Sequence, residues 1–299
     1  VKALVAGHFV LDTVISEGYV AETLGGPPAY MGFLLRRLGF DVFVATAIGY
    51  DFGDDRLQQV IRSGIRFLQP PFSESPTTRF EITVLWGHRA MRLLSRCGRI
   101  PPPAMGQGEF DVAMVNPVAG EIAPESIPRY KSVSKFLYLD PQGFLRAFEG
   151  GEVRLSDNPK LRYMLRAVDA VKVDLEEGLA LTATDDPIGI GHGLSRMGVR
   201  EVLVTAGSEG VYLRSGERLY FLRPPDVAAF DGIGAGDLLG AGYCASRASR
   251  GLEESMAYAV ACSTCRLDQP GLQKIPDLRA IEDEAAALRK KVEVLEGPR

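Results

Sequence analysis

Strand-length apolar runs alternate with helix-spaced runs along most of the 299 residues. That alternation predicts an α/β fold with a mainly parallel central sheet and helices on both faces. Hydrophobic residues make up 46% of the chain, enough for a sizeable core. No internal repeat, low-complexity tract or long linker divides it, so one domain over residues 1–299 is expected.

Taken in order, Lys2–Ala6 reads as a buried strand, Ala29–Leu38 as a helix, Val42–Ala47 as a strand and Gly53–Ser63 as a helix. Val112–Val115, Phe136–Leu139, Ala170–Val173 and Val202–Thr205 read as further strands, with helices between or after them. Glu282–Leu295 is charged and helix-prone, and is expected to pack on the outside. Two segments break the rhythm. Val10–Val20 looks extended, and Thr77–Leu94 alternates in polarity around a turn signal at Gly87-His88. Together they predict a small antiparallel sheet standing off the main one, approximately within 10–24 and 74–96. Two ordinary edge hairpins are the alternative.

Composition excludes several classes. The net charge of −4 is dispersed, leaving no electrostatic footprint for nucleic acid or an anionic membrane. No run of about 18 apolar residues suggests a membrane span. The opening Val1–Gly7 reads as a strand, not a signal peptide. Cys262-x-x-Cys265 lacks a second ligand pair and lies in a helical run, so core packing explains it better than a metal. His8, His88 and His192 show no metal-ligand spacing. A reduced, cytoplasmic setting is expected.

Chemistry concentrates around Phe230-Asp231-Gly232-Ile233-Gly234-Ala235-Gly236-Asp237, which leads into an apolar, helix-spaced run. A helix starting at Ala235 leaves its first amides unpaired and its dipole positive at that end. Gly234, Ala235 and Gly236 would then present N–H groups to an anion such as phosphate. Asp237 beside that anion makes sense as a base that takes a proton from an attacking hydroxyl. The plainer reading is a tight turn closing on a helix, with Asp237 as a favourable first-turn charge. Asp12, just past the first strand, is placed to bind neighbouring hydroxyls or to serve as a turn residue. His8 faces the same pocket or packs in the core. Gly25-Gly26-Pro27-Pro28 permits close backbone approach before a helix that starts with proline. Asp174 and Glu177 form an acidic helix start. Val204–Gly210 closes a strand as a hairpin-like turn.

Asp231-x-x-Gly234-Ala235-Gly236-Asp237 resembles the signature of the ribokinase-like sugar kinases of the phosphofructokinase-B type. The chain departs from that pattern at Gly232, where the family usually has Thr. The resemblance implies a ribokinase-like fold in which lid strands cover the sugar and exclude water. It implies ATP and Mg²⁺ as cofactors, Asp237 as general base and an anion hole at 234–236. By the same resemblance Asp12, Gly25 and Gly26 bind the acceptor, although Tyr30 stands where Asn is frequent. Asp174-x-x-Glu177 resembles the Asn-x-x-Glu motif, in which the glutamate organises water around Mg²⁺. Thr205, Gly207 and Gly210 match a Thr-x-Gly-x-x-Gly turn at the nucleotide, and residues around Cys262–Gly271 flank the adenine. Ala21–Gly26 and Leu139–Arg146 look like the myo-inositol kinases of this family.

The implied activity is transfer of the γ-phosphoryl group of ATP to a hydroxyl of a small sugar or polyol. A homodimer paired through the lid strands is implied as well. A nucleoside kinase of the same fold is the first alternative, with Tyr30 stacking on the base. A non-catalytic small-molecule binding protein is the second. Gly7-His8-Phe9-Val10-Leu11-Asp12 after the first strand is not the G-x-G-x-x-G of a dinucleotide enzyme. No G-x-x-x-x-G-K-[ST] loop is present, which sets aside a P-loop kinase.

Overall fold

Alternate side chains of β1 (Lys2–Ala6) serve two different cores: Ala3 and Val5 belong to one apolar cluster, Leu4 and Ala6 to the other. A strand apolar on both faces has to be covered on both. The computed structural model, which describes residues 1–16, 19–85, 88–226, 232–265 and 277–297, shows that cover. Met31, Leu34 and Tyr243 lie on the first side, and Ile127, Leu161 and Leu194 on the second.

After β1 come β2 (Val10–Ser16), β3 (Tyr19–Gly25), α1 (Pro27–Arg37), β4 (Asp41–Ala45), α2 (Asp54–Arg62) and β5 (Arg66–Phe67). The chain continues through β6 (Thr78–Leu85), β7 (His88–Ser95), β8 (Phe110–Val115), α3 (Ile127–Ser132), β9 (Ser134–Leu139) and α4 (Gln142–Leu145). Next are β10 (Arg146–Glu149), β11 (Glu152–Leu155), α5 (Pro159–Met164), β12 (Ala170–Asp174), α6 (Leu175–Thr182), α7 (Pro187–Arg196) and β13 (Glu201–Thr205). The last elements are β14 (Val211–Ser215), β15 (Arg218–Leu222), α8 (Ala235–Arg247), α9 (Leu252–Thr264), α10 (Leu278–Arg289) and β16 (Glu293–Glu296).

Ten strands form the main sheet in the order β16-β15-β14-β13-β12-β9-β8-β1-β4-β5. Neighbours from β13 to β5 are parallel, and β14, β15 and β16 close the other edge antiparallel. The mainly parallel sheet with helices on both faces is the expected one. α8 approaches the sheet closely because it is rich in small residues: a Cβ on Gly240 would lie 2.3 Å from the Tyr138 hydroxyl.

The second sheet has six strands in the order β10-β11-β7-β6-β2-β3. Val10–Val20 is thus not one extended segment but most of an antiparallel pair, β2 with β3. β6 and β7 pair antiparallel as expected, but β2 runs parallel to β6, so the sheet is mixed and not the antiparallel one expected; Gly87 of the β6–β7 turn lies outside the described residues. The β10–β11 hairpin was not anticipated from sequence. It joins through a single pairing of Glu152 with Arg92. At the C-terminus the helix starts at Leu278 and stops at Arg289, earlier than its charge pattern suggests. Glu293–Glu296 instead adds to the sheet edge, with Val294 opposite Tyr220.

A chain of charges ties the smaller sheet to the body. Glu22 on β3 contacts Arg56 on α2 and, at 2.5 Å, Arg79 on β6. Arg79 Nη2 reaches Asp51 at 3.2 Å, and Asp51 accepts the Thr77 amide at 2.6 Å. These groups are partly exposed, so each pair is worth about 0–1 kcal/mol.

Candidate active site

The carboxyl ends of β9, β12 and β13 and the start of α8 open onto one cavity of about 750 Å³. This is where open α/β sheets place ligands. The structure brings Asp174, Glu177, Thr205, Gly207, Gly234, Ala235, Gly236 and Asp237 together on its wall. Asp12, Gly25, Gly26 and Gly210 do not line it.

α8 begins as its sequence suggests. Gly234 is the N-cap at φ 78°, a left-handed conformation that favours glycine, and no side chain among the described residues caps the helix. Its position is also crowded, since a Cβ there would lie 2.6 Å from the Tyr30 ring. Among the described residues the amides of Gly234, Gly236 and Asp237 have no hydrogen-bond partner. The Ala235 amide is different: it donates to the Gly232 carbonyl at 3.3 Å, within the turn. The free donors are therefore at 234, 236 and 237, not at 234–236 as expected. Asp231 lies outside the described residues.

Asp237 follows in the first turn and is buried, with Oδ1 unpartnered among the described residues. Burial pushes its carboxyl up to about 7. Repulsion from Asp140 and Asp12 adds to this, while Lys172 and Arg146 oppose it. A carboxyl held near neutrality in a cavity suits a proton acceptor.

On the opposite wall Asp174 and Glu177 cap α6 reciprocally. Glu177 N–H donates to Asp174 Oδ1 at 2.8 Å, and Asp174 N–H donates to Glu177 Oε2 at 2.9 Å. Burial pushes the Glu177 carboxyl up, and Lys172 at 3.8 Å counters this. Among the described residues no three metal-ligating side chains converge. The Asp174 and Glu177 carboxylates on the cavity wall are a donor pair of the kind Mg²⁺ can use, since it takes few carboxylates and keeps several waters. Thr205 donates to the Val173 carbonyl at 3.4 Å, and Gly207 turns at φ 58°. Gly210 instead packs on the Phe221 ring, which a Cβ would meet at 2.2 Å.

The predicted acceptor residues lie off the cavity lining and meet each other, near enough to Asp237 for the Asp12 charge to act on it. A Cβ on Gly25 would lie 2.4 Å from Asp12 Oδ2, so residue 25 lacks a side chain where the carboxylate sits. A Cβ on Gly26 would collide with the His8 carbonyl at 2.2 Å. His8 is a core residue, its ring bonded to Thr78 Oγ1 and the Gly98 carbonyl, each at 2.8 Å. Tyr30 is 1% exposed and offers no surface to a ligand.

Asp140, Gln142, Arg146 and Lys172 are among the lining residues that the sequence does not single out for the site. β9 and β12 pair with Leu139 opposite Val171, which sets Lys172 beside Asp140. Lys172 Nζ donates to Asp140 Oδ2 at 3.0 Å. Arg146 donates to Gln142 Oε1 at 2.7 Å and to the Val118 carbonyl at 3.0 Å. The available signal was the Leu139–Arg146 run, whose polar residues cluster directly after a strand.

Residues 153–278 match the pfkB family of carbohydrate kinases. An inositol 3-kinase of Zea mays is 30% identical over 267 residues, covering 82% of this chain and 66% of that protein. The chain thus spans a little under two thirds of that relative's length. A solved pyrophosphate-dependent myo-inositol-1 kinase, converted by mutation into a myo-inositol-3 kinase, superposes with a TM-score of 0.82 at 23% identity. It covers 94% of this chain and 99% of its own. Arabidopsis thaliana ribokinase complexed with ribose and ATP gives 0.75 at 17% identity, covering 95% and 98%. These structural likenesses establish the ribokinase-like fold.

Proposed function

Because the chain carries a pfkB-family carbohydrate kinase domain, we propose that it transfers the γ-phosphoryl group of ATP to a hydroxyl of a small polyol, with myo-inositol the first acceptor to test. One observation carries the reading: the buried Asp237 carboxylate has an unpartnered oxygen beside the unbonded amides of its own helix end. In this reading the acceptor hydroxyl gives its proton to Asp237, and the amides at 234, 236 and 237 stabilise charge on the phosphoryl oxygens. Asp140, Gln142 and Arg146 supply polar contacts on the acceptor side, with Asp12 behind them.

ATP is favoured over pyrophosphate by the extent of the cavity. It runs from α8 past Gly207 and Ser208 to Pro224, Pro225, Val260 and Thr264. Pyrophosphate would use only the inner part. Mg²⁺ would be held through Glu177 and Asp174 with water and phosphate oxygens, and supplies charge neutralisation. A nucleoside acceptor loses its proposed stacking partner, since Tyr30 is buried against Gly234.

An ADP-release screen across pentoses, hexoses, inositols and nucleosides tests the reading, with pyrophosphate as a second donor. Acceptor-dependent ADP release, strongest with an inositol, is expected. Release with no acceptor overturns it. Turnover with pyrophosphate alone replaces the donor.

Two outcomes follow for the site. Arg146→Ala is expected to raise KM for the acceptor by about tenfold or more, the effect of losing a hydrogen bond to a charged group. An unchanged KM places the acceptor elsewhere. Because the base works deprotonated, kcat/KM is expected to fall about tenfold per pH unit below about 7, the value held by Asp237. A profile flat to pH 5 argues against Asp237.

A further inference from the structure

We propose that Lys172 is a catalytic cation that contacts the phosphoryl group in transit. This rests on the kinase reading above and adds a residue to it. Lys172 lies on β12 between Val171 and Val173, both fully buried, and is itself 7% exposed. Stability does not require an ion there, since buried ion pairs commonly do no better than apolar residues of similar volume. Function supplies the reason.

The ammonium stands where the two sides of the reaction meet. It is 3.0 Å from Asp140 Oδ2 on the acceptor side and 3.8 Å from Glu177 Oε2 on the metal side. A Cβ on Gly236 would lie 3.2 Å from Nζ, so the charge also faces the start of α8. An ammonium has three N–H donors. Asp140 takes one; the Glu177 distance is too long for a hydrogen bond, and no other partner occurs among the described residues.

The surrounding charge selects the ligand. Asp140, Asp174, Glu177 and Asp237 all line the cavity, and Arg146 is the other cation on its described wall. An anion is repelled over most of that wall. It is welcomed where the Lys172 ammonium and the bare amides of Gly236 and Asp237 face one another. A phosphoryl group at that point has Asp237 beside it. As the acceptor oxygen forms its bond to phosphorus, its proton passes to Asp237. The bridging P–O bond of ATP breaks, and its electron pair leaves on ADP. Lys172 keeps its proton and donates to a non-bridging oxygen throughout.

Binding of ATP and ADP, each with Mg²⁺, to wild type and Lys172→Met tests the contact by calorimetry at pH 8. Loss of affinity by about tenfold or more for ATP and less than about threefold for ADP is expected, with partial recovery in Lys172→Arg. Equal losses for both nucleotides, or none, overturn the proposal. So does a wild type that binds ATP no better than ADP. If Lys172→Met fails to fold, the Lys172→Met/Asp140→Asn pair removes the uncompensated carboxylate and is compared with Asp140→Asn alone. Selective loss of ATP affinity without phosphorylation of any acceptor upholds the contact and removes the kinase reading instead.

Discussion

Replacing Asp237 with Asn is expected to lower kcat by ~10²–10⁴, the range for a lost general base, while ATP affinity changes little. The same variant should be more stable. A carboxyl with a pKa of about 7 in the folded state and 3.8 as its ordinary value makes ionisation oppose folding. The cost is absent below pH 4, grows between pH 4 and 7, and is complete above 7. At pH 8 the Asn variant should therefore gain on the order of 2–4 kcal/mol, and near pH 4 almost nothing. Thermal unfolding at both pH values, set beside single-turnover kinetics, checks the pair of effects. Wild-type turnover, or lower stability at pH 8, would remove Asp237 from the role given to it.

Gly234→Ala is the second large effect. Its φ of 78° costs a side-chain-bearing residue about 1–2 kcal/mol, and the added Cβ would meet the Tyr30 ring at 2.6 Å. Overpacking of that kind typically costs a further 1–3 kcal/mol. Relief requires moving either the ring or the first turn of α8, and the turn carries the amides and Asp237. A loss of kcat of about 10² or more is expected alongside the lowered melting temperature, because small misplacements of reacting groups cost about that much. A variant that loses stability while keeping kcat would show that the ring yields and the helix start does not.

The parts of this site readable from sequence are those that are local. Gly234 to Asp237 are consecutive, and glycines beside an aspartate before an apolar run define a helix start without knowledge of the rest. Asp174 and Glu177 are likewise joined within one turn. Lys172 and Asp140 are 32 residues apart, and only the pairing of β9 with β12 makes them neighbours. The unexpected Ala235–Gly232 bond is a detail of turn geometry that residue types do not specify. Gly25 and Gly26 suggest a ligand's close approach by residue type alone; in the structure the close approach is made by Asp12 and the His8 carbonyl. The misjudged C-terminus has a similar origin. Glu293–Glu296 has helix-compatible residues, but the open edge of β15 offers backbone partners that local preference cannot weigh.

The row Arg56–Glu22–Arg79–Asp51 joins the smaller sheet to the main body through groups that remain partly wet. Such a clasp answers to the medium: dilute buffer tightens it, and molar salt, with a screening length of about 3 Å, slackens it. How firmly the smaller sheet is held against the main body is then partly a property of the surrounding electrolyte.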